Sequence, residues 1–183
     1  SAPHPPAGTD RNDMARDLTF YVWADTHFGY DQGFGDQDLR APIIEQLNNL
    51  PGWPYPPTIG GVVDKPEFVV LCGDAVDGAP GEGPGELAYY RYFAQRLQHP
   101  QIEVMGNHDQ DPAYVRYFTD RYGGTSHAFD RQDIHFVCLN SRYDPDEHFA
   151  DEDLCFLRGD LAEVDRSTPV VLFVHCRLDR FRN

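Results

Sequence analysis

Four times along this sequence a strand-like apolar run ends directly in a cluster of acidic, amide or imidazole side chains. Residues 18–24 run into Asp25-Thr26-His27, and residues 68–72 into Gly73-Asp74-Ala75-Val76-Asp77. Residues 102–105 run into Gly106-Asn107-His108-Asp109, and residues 170–174 into His175. A short, nearly continuous apolar run suits a strand buried on both faces. In an open α/β sheet, residues just past the carboxyl ends of parallel strands converge on one crevice. Carboxylates, imidazoles and an amide gathered there make a metal site.

The segments between the clusters supply the connections such a sheet needs. Residues 38–50 read as a helix with Leu39, Ile43, Leu47 and Leu50 on one face. Residues 86–98 read as a second helix carrying Leu87, Tyr90, Phe93, Ala94 and Leu97. A third, over 112–121, opens on Pro112, a residue suited to the first helical turn. A fourth, over 151–165, has Leu154, Leu157, Leu161 and Val164 at core spacing. Residues 126–130 and 134–140, separated by Arg131-Gln132-Asp133, read as an antiparallel hairpin. This order predicts a layered α/β fold with a mostly parallel sheet. Residues 1–16, rich in proline, glycine and aspartate, read as an irregular tail, and 17–183 as one domain. Residues 29–35 and 78–85 are glycine-punctuated loops. Residues 51–66 are dense in proline and glycine around Trp53 and Tyr55, and predict a surface connection, a rigid spacer rather than a substrate lid.

Charge narrows the partners. Across 183 residues there are 30 acidic and 15 basic side chains, a net charge of −15, and Lys65 is the only lysine. Such a surface repels nucleic acid and anionic lipid, so no nucleic-acid partner is expected. Bound divalent cations reverse that field locally, which keeps a phosphate-bearing substrate open. No apolar run reaches the length of a membrane span. The four cysteines form no C-x-x-C pair and read as small apolar side chains rather than disulfides. Neither glycine-rich loop makes a G-x-G-x-x-G or P-loop pattern, which disfavours a nucleotide-binding module.

Each cluster alone has a bland reading: Gly-Asp and Asn-Asp sequences make turns, and a strand-end histidine is commonly structural. Their chemistry is nonetheless coherent. Asp25 and His27, two positions apart, can converge on one ion. Gly73 permits the bend that points Asp74 into the crevice, where a carboxylate can bridge two metals. Asp77 can hold a neighbouring histidine in one tautomer. Asn107 offers a neutral hard oxygen, His108 a general acid, and His175 a further imidazole. Their joint placement after separate strands points to a metal site.

With these blocks in this order, the sequence resembles the calcineurin-like metallophosphoesterase superfamily. That pattern is Asp-x-His, Gly-Asp-x-x-Asp, Gly-Asn-His-Asp/Glu, His, then Gly-His-x-His. The first four blocks stand here as Asp25-x-His27, Gly73-Asp74-x-x-Asp77, Gly106-Asn107-His108-Asp109 and His175. No Gly-His-x-His follows His175 before Asn183. The expectation is therefore a fragment of a longer protein, with the C-terminal part of the second sheet absent. The resemblance implies a layered sheet sandwich flanked by helices. It implies two divalent cations (Mn, Fe or Zn), one on Asp25, His27 and the bridging Asp74, the other on Asp74, Asn107 and His175. Each would lack one histidine.

The activity the resemblance implies is hydrolysis of a phosphomonoester or phosphodiester by a metal-bridging hydroxide. His108, positioned by Asp77, would protonate the leaving oxygen, and Asn107 would also orient a phosphate oxygen. Arg142, just past the strand at 134–140, is a candidate phosphate contact. Pocket walls are expected from 30–35, 51–57, 78–85 and 142–148. Asp77 stands where the purple acid phosphatase branch has tyrosine, so the chain looks more like the general phosphatase and phosphodiesterase branches. The alternatives are a non-catalytic scaffold of the same fold that binds partner proteins, and a nuclease of the same superfamily, which the acidic balance disfavours.

Overall fold

A computed structural model describes residues 17–29, 35–78, 86–141 and 149–176, with the backbone alone described at 35–39. The tail at 1–16, the loop interiors at 30–34 and 79–85, the side chain of Leu39, and Arg142 with the rest of 142–148 lie outside the described residues.

Two three-stranded sheets lie face to face. The first has the order β1 (Phe20–Trp23), β2 (Phe68–Cys72), β3 (Gln101–Val104), all parallel. The second has the order β4 (His127–Arg131), β5 (Ile134–Cys138), β6 (Val170–Phe173). In it β4 and β5 form the expected antiparallel hairpin and β6 runs parallel to β5. The anticipated mostly parallel sheet is thus divided into two, because the hairpin starts a new sheet instead of extending the first.

Alternation along the strands builds two cores. Phe68 and Val70 of β2 and Val104 of β3 pack against Phe136, Cys138 and Phe173 between the sheets. The Phe20 and Phe68 rings stack at 5.4 Å, and each meets Phe136 edge-on, at 5.8 Å and 5.4 Å. Phe68 and Phe136, both fully buried, each contribute about 1.5–3 kcal/mol of transfer free energy, and the half-buried Phe20 less. Leu71, on the opposite face of β2, joins the second core beneath three helices: α1 (Gly35–Asn49), α2 (Glu86–Ala94) and α3 (Pro112–Tyr122). Burial on both faces is why β2 reads as an unbroken apolar run. The fourth helix, α4 (Asp151–Glu163), covers the outer face of the second sheet, where Asp160 meets His135 of β5.

Three expectations are corrected. Among the described side chains of α1 the buried one is Ile44, at 1% exposure, while Ile43 is 43% exposed and Leu47 is half-buried, so Ile44 takes the core position expected of Ile43. On α4 Leu154 and Leu157 are half-buried, Leu161 is exposed, and the buried residue is Asp153. Its carboxylate accepts hydrogen bonds from Ser126 Oγ at 2.7 Å and Asn140 Nδ2 at 3.3 Å, tying the helix to the strand ends. All four cysteines are free, but Cys155 is exposed rather than a buried apolar side chain.

The proline-rich connection also changes place. It is laced by Gly52 N–H to Val63 O at 2.7 Å, Val63 N–H to Trp53 O at 2.8 Å and Tyr55 N–H to Gly61 O at 3.1 Å. It follows α1 and precedes β2, so it sits at the amino end of the sheet, opposite the polar clusters. Residues 51–57 are therefore not a wall of the crevice.

Candidate metal centre

Sharp turns at the carboxyl ends of β1 and β2 carry the first two clusters. Among the described residues four non-glycine positions have positive φ, and three of them are Asp25 (57°), His27 (44°) and Asp74 (53°). The fourth, Gln132, turns the hairpin. Left-handed backbone at such residues costs on the order of 1–3 kcal/mol each and persists only where surrounding bonds enforce it. Here they do. Asp25 N–H donates to Gly73 O at 3.1 Å, His27 N–H to Asp74 O at 3.0 Å and Phe28 N–H to Ala75 O at 3.0 Å. Thr26 Oγ donates to Ala75 O at 3.0 Å. The two turns are thereby zipped together.

Asp74 is the hub. Its Oδ2 lies 3.5 Å from His27 Nε2 and 3.1 Å from His175 Nε2. Both imidazoles are anchored through their other nitrogen. His27 Nδ1 lies 3.1 Å from Asp77 Oδ1, and His175 Nδ1 lies 2.9 Å from the Cys72 carbonyl. With Nδ1–H donated to those oxygens, Nε2 of each ring is the nitrogen turned toward the Asp74 carboxylate, the arrangement of a histidine oriented for a metal. Gly73, with φ of 86°, makes room for this: a Cβ there would lie 2.3 Å from the His175 ring. Burial works to raise the Asp74 carboxyl, but hydrogen bonds from His175 and the His108 N–H hold it below its ordinary range. Burial works to lower His175, yet its bonds to Asp74 and the Cys72 carbonyl push it up to about 9.

The third cluster wraps around the same carboxylate. His108 N–H donates to Asp74 Oδ1 at 2.9 Å, and His108 Nδ1 lies 2.8 Å from the Asp77 carbonyl. The Asp77 carboxylate is farther from His108 Nδ1, at 3.5 Å, than from His27. Asn107 Oδ1 stands 3.9 Å from Cys176 Sγ, on the His175 side. Asp109, fully buried, accepts Val76 N–H at 3.0 Å and Gly106 N–H at 2.8 Å, locking the two loops together. Burial pushes its carboxyl up to about 6 against the pull of those N–H groups.

Two sets of ligand atoms fall within 4.8 Å of one another: His27, Asp74 and His108, and Asp25, Asp74 and His175. Asp74 belongs to both, as the resemblance implies for a bridging carboxylate. Asp25 falls in the set with His175 and His108 in the set with His27, and Asp25 Oδ1 also lies 4.0 Å from His27 Nε2, within reach of either cation. Two carboxylates, three imidazoles and a nearby amide oxygen are the donor chemistry of Mn, Fe or Zn. The residues fit the ions that the resemblance calls for.

The sequence profile of the calcineurin-like phosphoesterases matches residues 18–179. The chain belongs to the calcineurin-like phosphoesterase family. Among solved structures, a dimetal phosphatase from Danio rerio is similar, with a TM-score of 0.56 at 14% identity. The match covers 86% of this chain and 69% of that one. A protein of unknown function from Aquifex aeolicus matches with a TM-score of 0.42 at 14% identity, over 87% of this chain and 90% of that one. No curated protein matches the chain.

In this calcineurin-like phosphoesterase, several supporting groups carry no motif. Ser141 Oγ accepts the backbone N–H of His175 at 3.2 Å and of Cys176 at 3.0 Å, fixing the turn after β6. Glu86 Oε2 accepts Gly78 N–H at 2.8 Å, steadying the loop after Asp77. Both act across more than one element, so no local spacing announces them.

Proposed function

We propose that this chain is a two-cation hydrolase of phosphate esters. The observation that carries the reading is Asp74 Oδ2 placed between the Nε2 atoms of His27 and His175, each ring anchored through Nδ1. Asp25, His27 and Asp74 would hold one divalent cation, and Asp74, Asn107 and His175 the other. Bound there, such ions neutralise phosphate charge and make water a nucleophile near neutral pH. The similarity to a dimetal phosphatase supports the same reading.

The chain's own groups set the rest. His108 is 44% exposed at the crevice mouth, with Nδ1 committed to the Asp77 carbonyl. Its Nε2 is the atom left to hold a proton for a leaving oxygen, which makes His108 the general acid. Asn107 orients a phosphate oxygen. Asp77 acts twice, with its carboxylate on His27 and its carbonyl on His108. Arg142 remains a candidate phosphate contact.

The test is hydrolysis of p-nitrophenyl phosphate and bis(p-nitrophenyl) phosphate by the chelator-stripped protein with Mn²⁺, Zn²⁺ or Fe²⁺ restored. Metal-dependent turnover of either ester is expected, and the preferred ester assigns the monoester or diester class. No turnover with any of the metals would overturn the enzyme reading in favour of a scaffold.

A further inference from the structure

The turn carrying Asp25 and His27 has a second brace, contributed by α1. Arg40 Nε donates to the Thr26 carbonyl, and Arg40 Nη2 donates to the His27 carbonyl at 2.7 Å. Its guanidinium carbon lies 5.3 Å from the centroid of the Phe28 ring, itself fully buried. One side chain thus engages three successive residues, Thr26, His27 and Phe28. The zipper to the Gly73–Ala75 turn grips the same segment through its N–H groups, and Arg40 grips its carbonyls.

We infer that Arg40 is a positioning residue of the metal centre, holding the left-handed turn that aims Asp25 and His27. The chemistry favours arginine in particular. A planar fork satisfies two carbonyls at fixed spacing and lies flat on an aromatic ring, and it keeps its charge at any working pH. A lysine at that position reaches one carbonyl and has no flat face for Phe28. The carbonyls of Thr26 and His27 fix the peptide planes on either side of His27, so the guanidinium sets the direction of that residue's Cα–Cβ bond. These two bonds of Arg40 end on backbone carbonyls, so the effect they carry to the ligand side chains passes through the backbone. The purpose assigned to the turn rests on the two-cation reading above, but the brace itself does not.

The test compares wild type with R40M, R40K and the control I44A. Ile44 is buried on the same helix, in the core cluster that also holds Phe28, and its truncation loosens α1 while leaving both Arg40 hydrogen bonds to the turn in place. Amide hydrogen exchange on the chelator-stripped protein reads the turn directly. Mn²⁺ titration calorimetry reads its consequence. For R40M, exchange at residues 25–28 is expected to accelerate at least about 10-fold while β2 stays protected, and Mn²⁺ affinity to fall about 10–100-fold. R40K should fall between R40M and wild type, and I44A should keep slow exchange in the turn and wild-type affinity. Unchanged exchange in R40M would overturn the brace. Equal acceleration in I44A would also overturn it, by reducing Arg40 to general helix stability. Wild type that binds no Mn²⁺ while R40M still frees the turn would remove the metal reading and leave the brace standing.

Discussion

The carboxylate of Asp77 lies 3.1 Å from Nδ1 of His27. Sequence reasoning assigns Asp77 to His108, but the structure gives His108 the carbonyl and His27 the carboxylate. Asp77→Asn should therefore weaken cation binding, by about 10–100-fold, because the carboxylate fixes the tautomer of a ligand histidine. Mn²⁺ calorimetry checks this. Wild-type affinity with reduced turnover would return the carboxylate to His108.

His108→Ala should keep the cations and lose turnover by about 10²–10⁴-fold, the range for a general acid. The measurement is kcat beside metal content, on the ester that wild type prefers. Since His108 joins the His27–Asp74 set of ligand atoms, a loss of metal in this variant would make it a ligand instead.

Gly106→Ala should destabilise the fold and distort the centre together. A Cβ at that position would lie 2.2 Å from Asp74 Oδ1 and 2.3 Å from its backbone nitrogen, which is backbone that cannot swing away. The expected cost is about 1–3 kcal/mol, as for overpacking elsewhere. A urea midpoint lowered without change of slope is the readout.

Far from the crevice, His135 bridges two carboxylates, with Nδ1 2.7 Å from Asp130 and Nε2 2.8 Å from Asp160. Burial works to lower its pKa, but these bonds prevail and hold it above its ordinary value of 6.5. A raised folded pKa means the stabilisation is complete below the unfolded value and fades as pH rises through the folded one. Asp130 is largely exposed, so the effect is on the order of 1 kcal/mol or less. His135→Asn should cost more stability near about pH 5 than near about pH 9, by urea denaturation at each pH. An equal cost at both would show that the pairing does not titrate.

The strands and their terminal clusters were readable because their runs are nearly all apolar and their ends mark the crevice, although burial on both faces holds for β2 and not for β1 or β6, where Val22, Val170 and Leu172 are exposed. Phe68–Cys72 followed by Gly73-Asp74 is the clearest case. Arg40, Ser141 and Glu86 were not readable, because each supports the site by bonding backbone atoms of a distant segment, and backbone leaves no residue-type signal. Ile43 and Ile44 are adjacent and equally apolar, so periodicity alone does not separate the buried one from the exposed one. The half-buried face of α4 looked like a core face because its leucines keep helical spacing, yet its docking rests on Asp153 and Asp160.

If Asp74 joins two cation sites, elemental analysis of wild type beside Asp74→Asn reads it out without any assay of turnover. Two Mn²⁺ or Zn²⁺ per wild-type chain are expected, and less than one in Asp74→Asn with a circular dichroism spectrum matching wild type. Two cations retained in Asp74→Asn would contradict it.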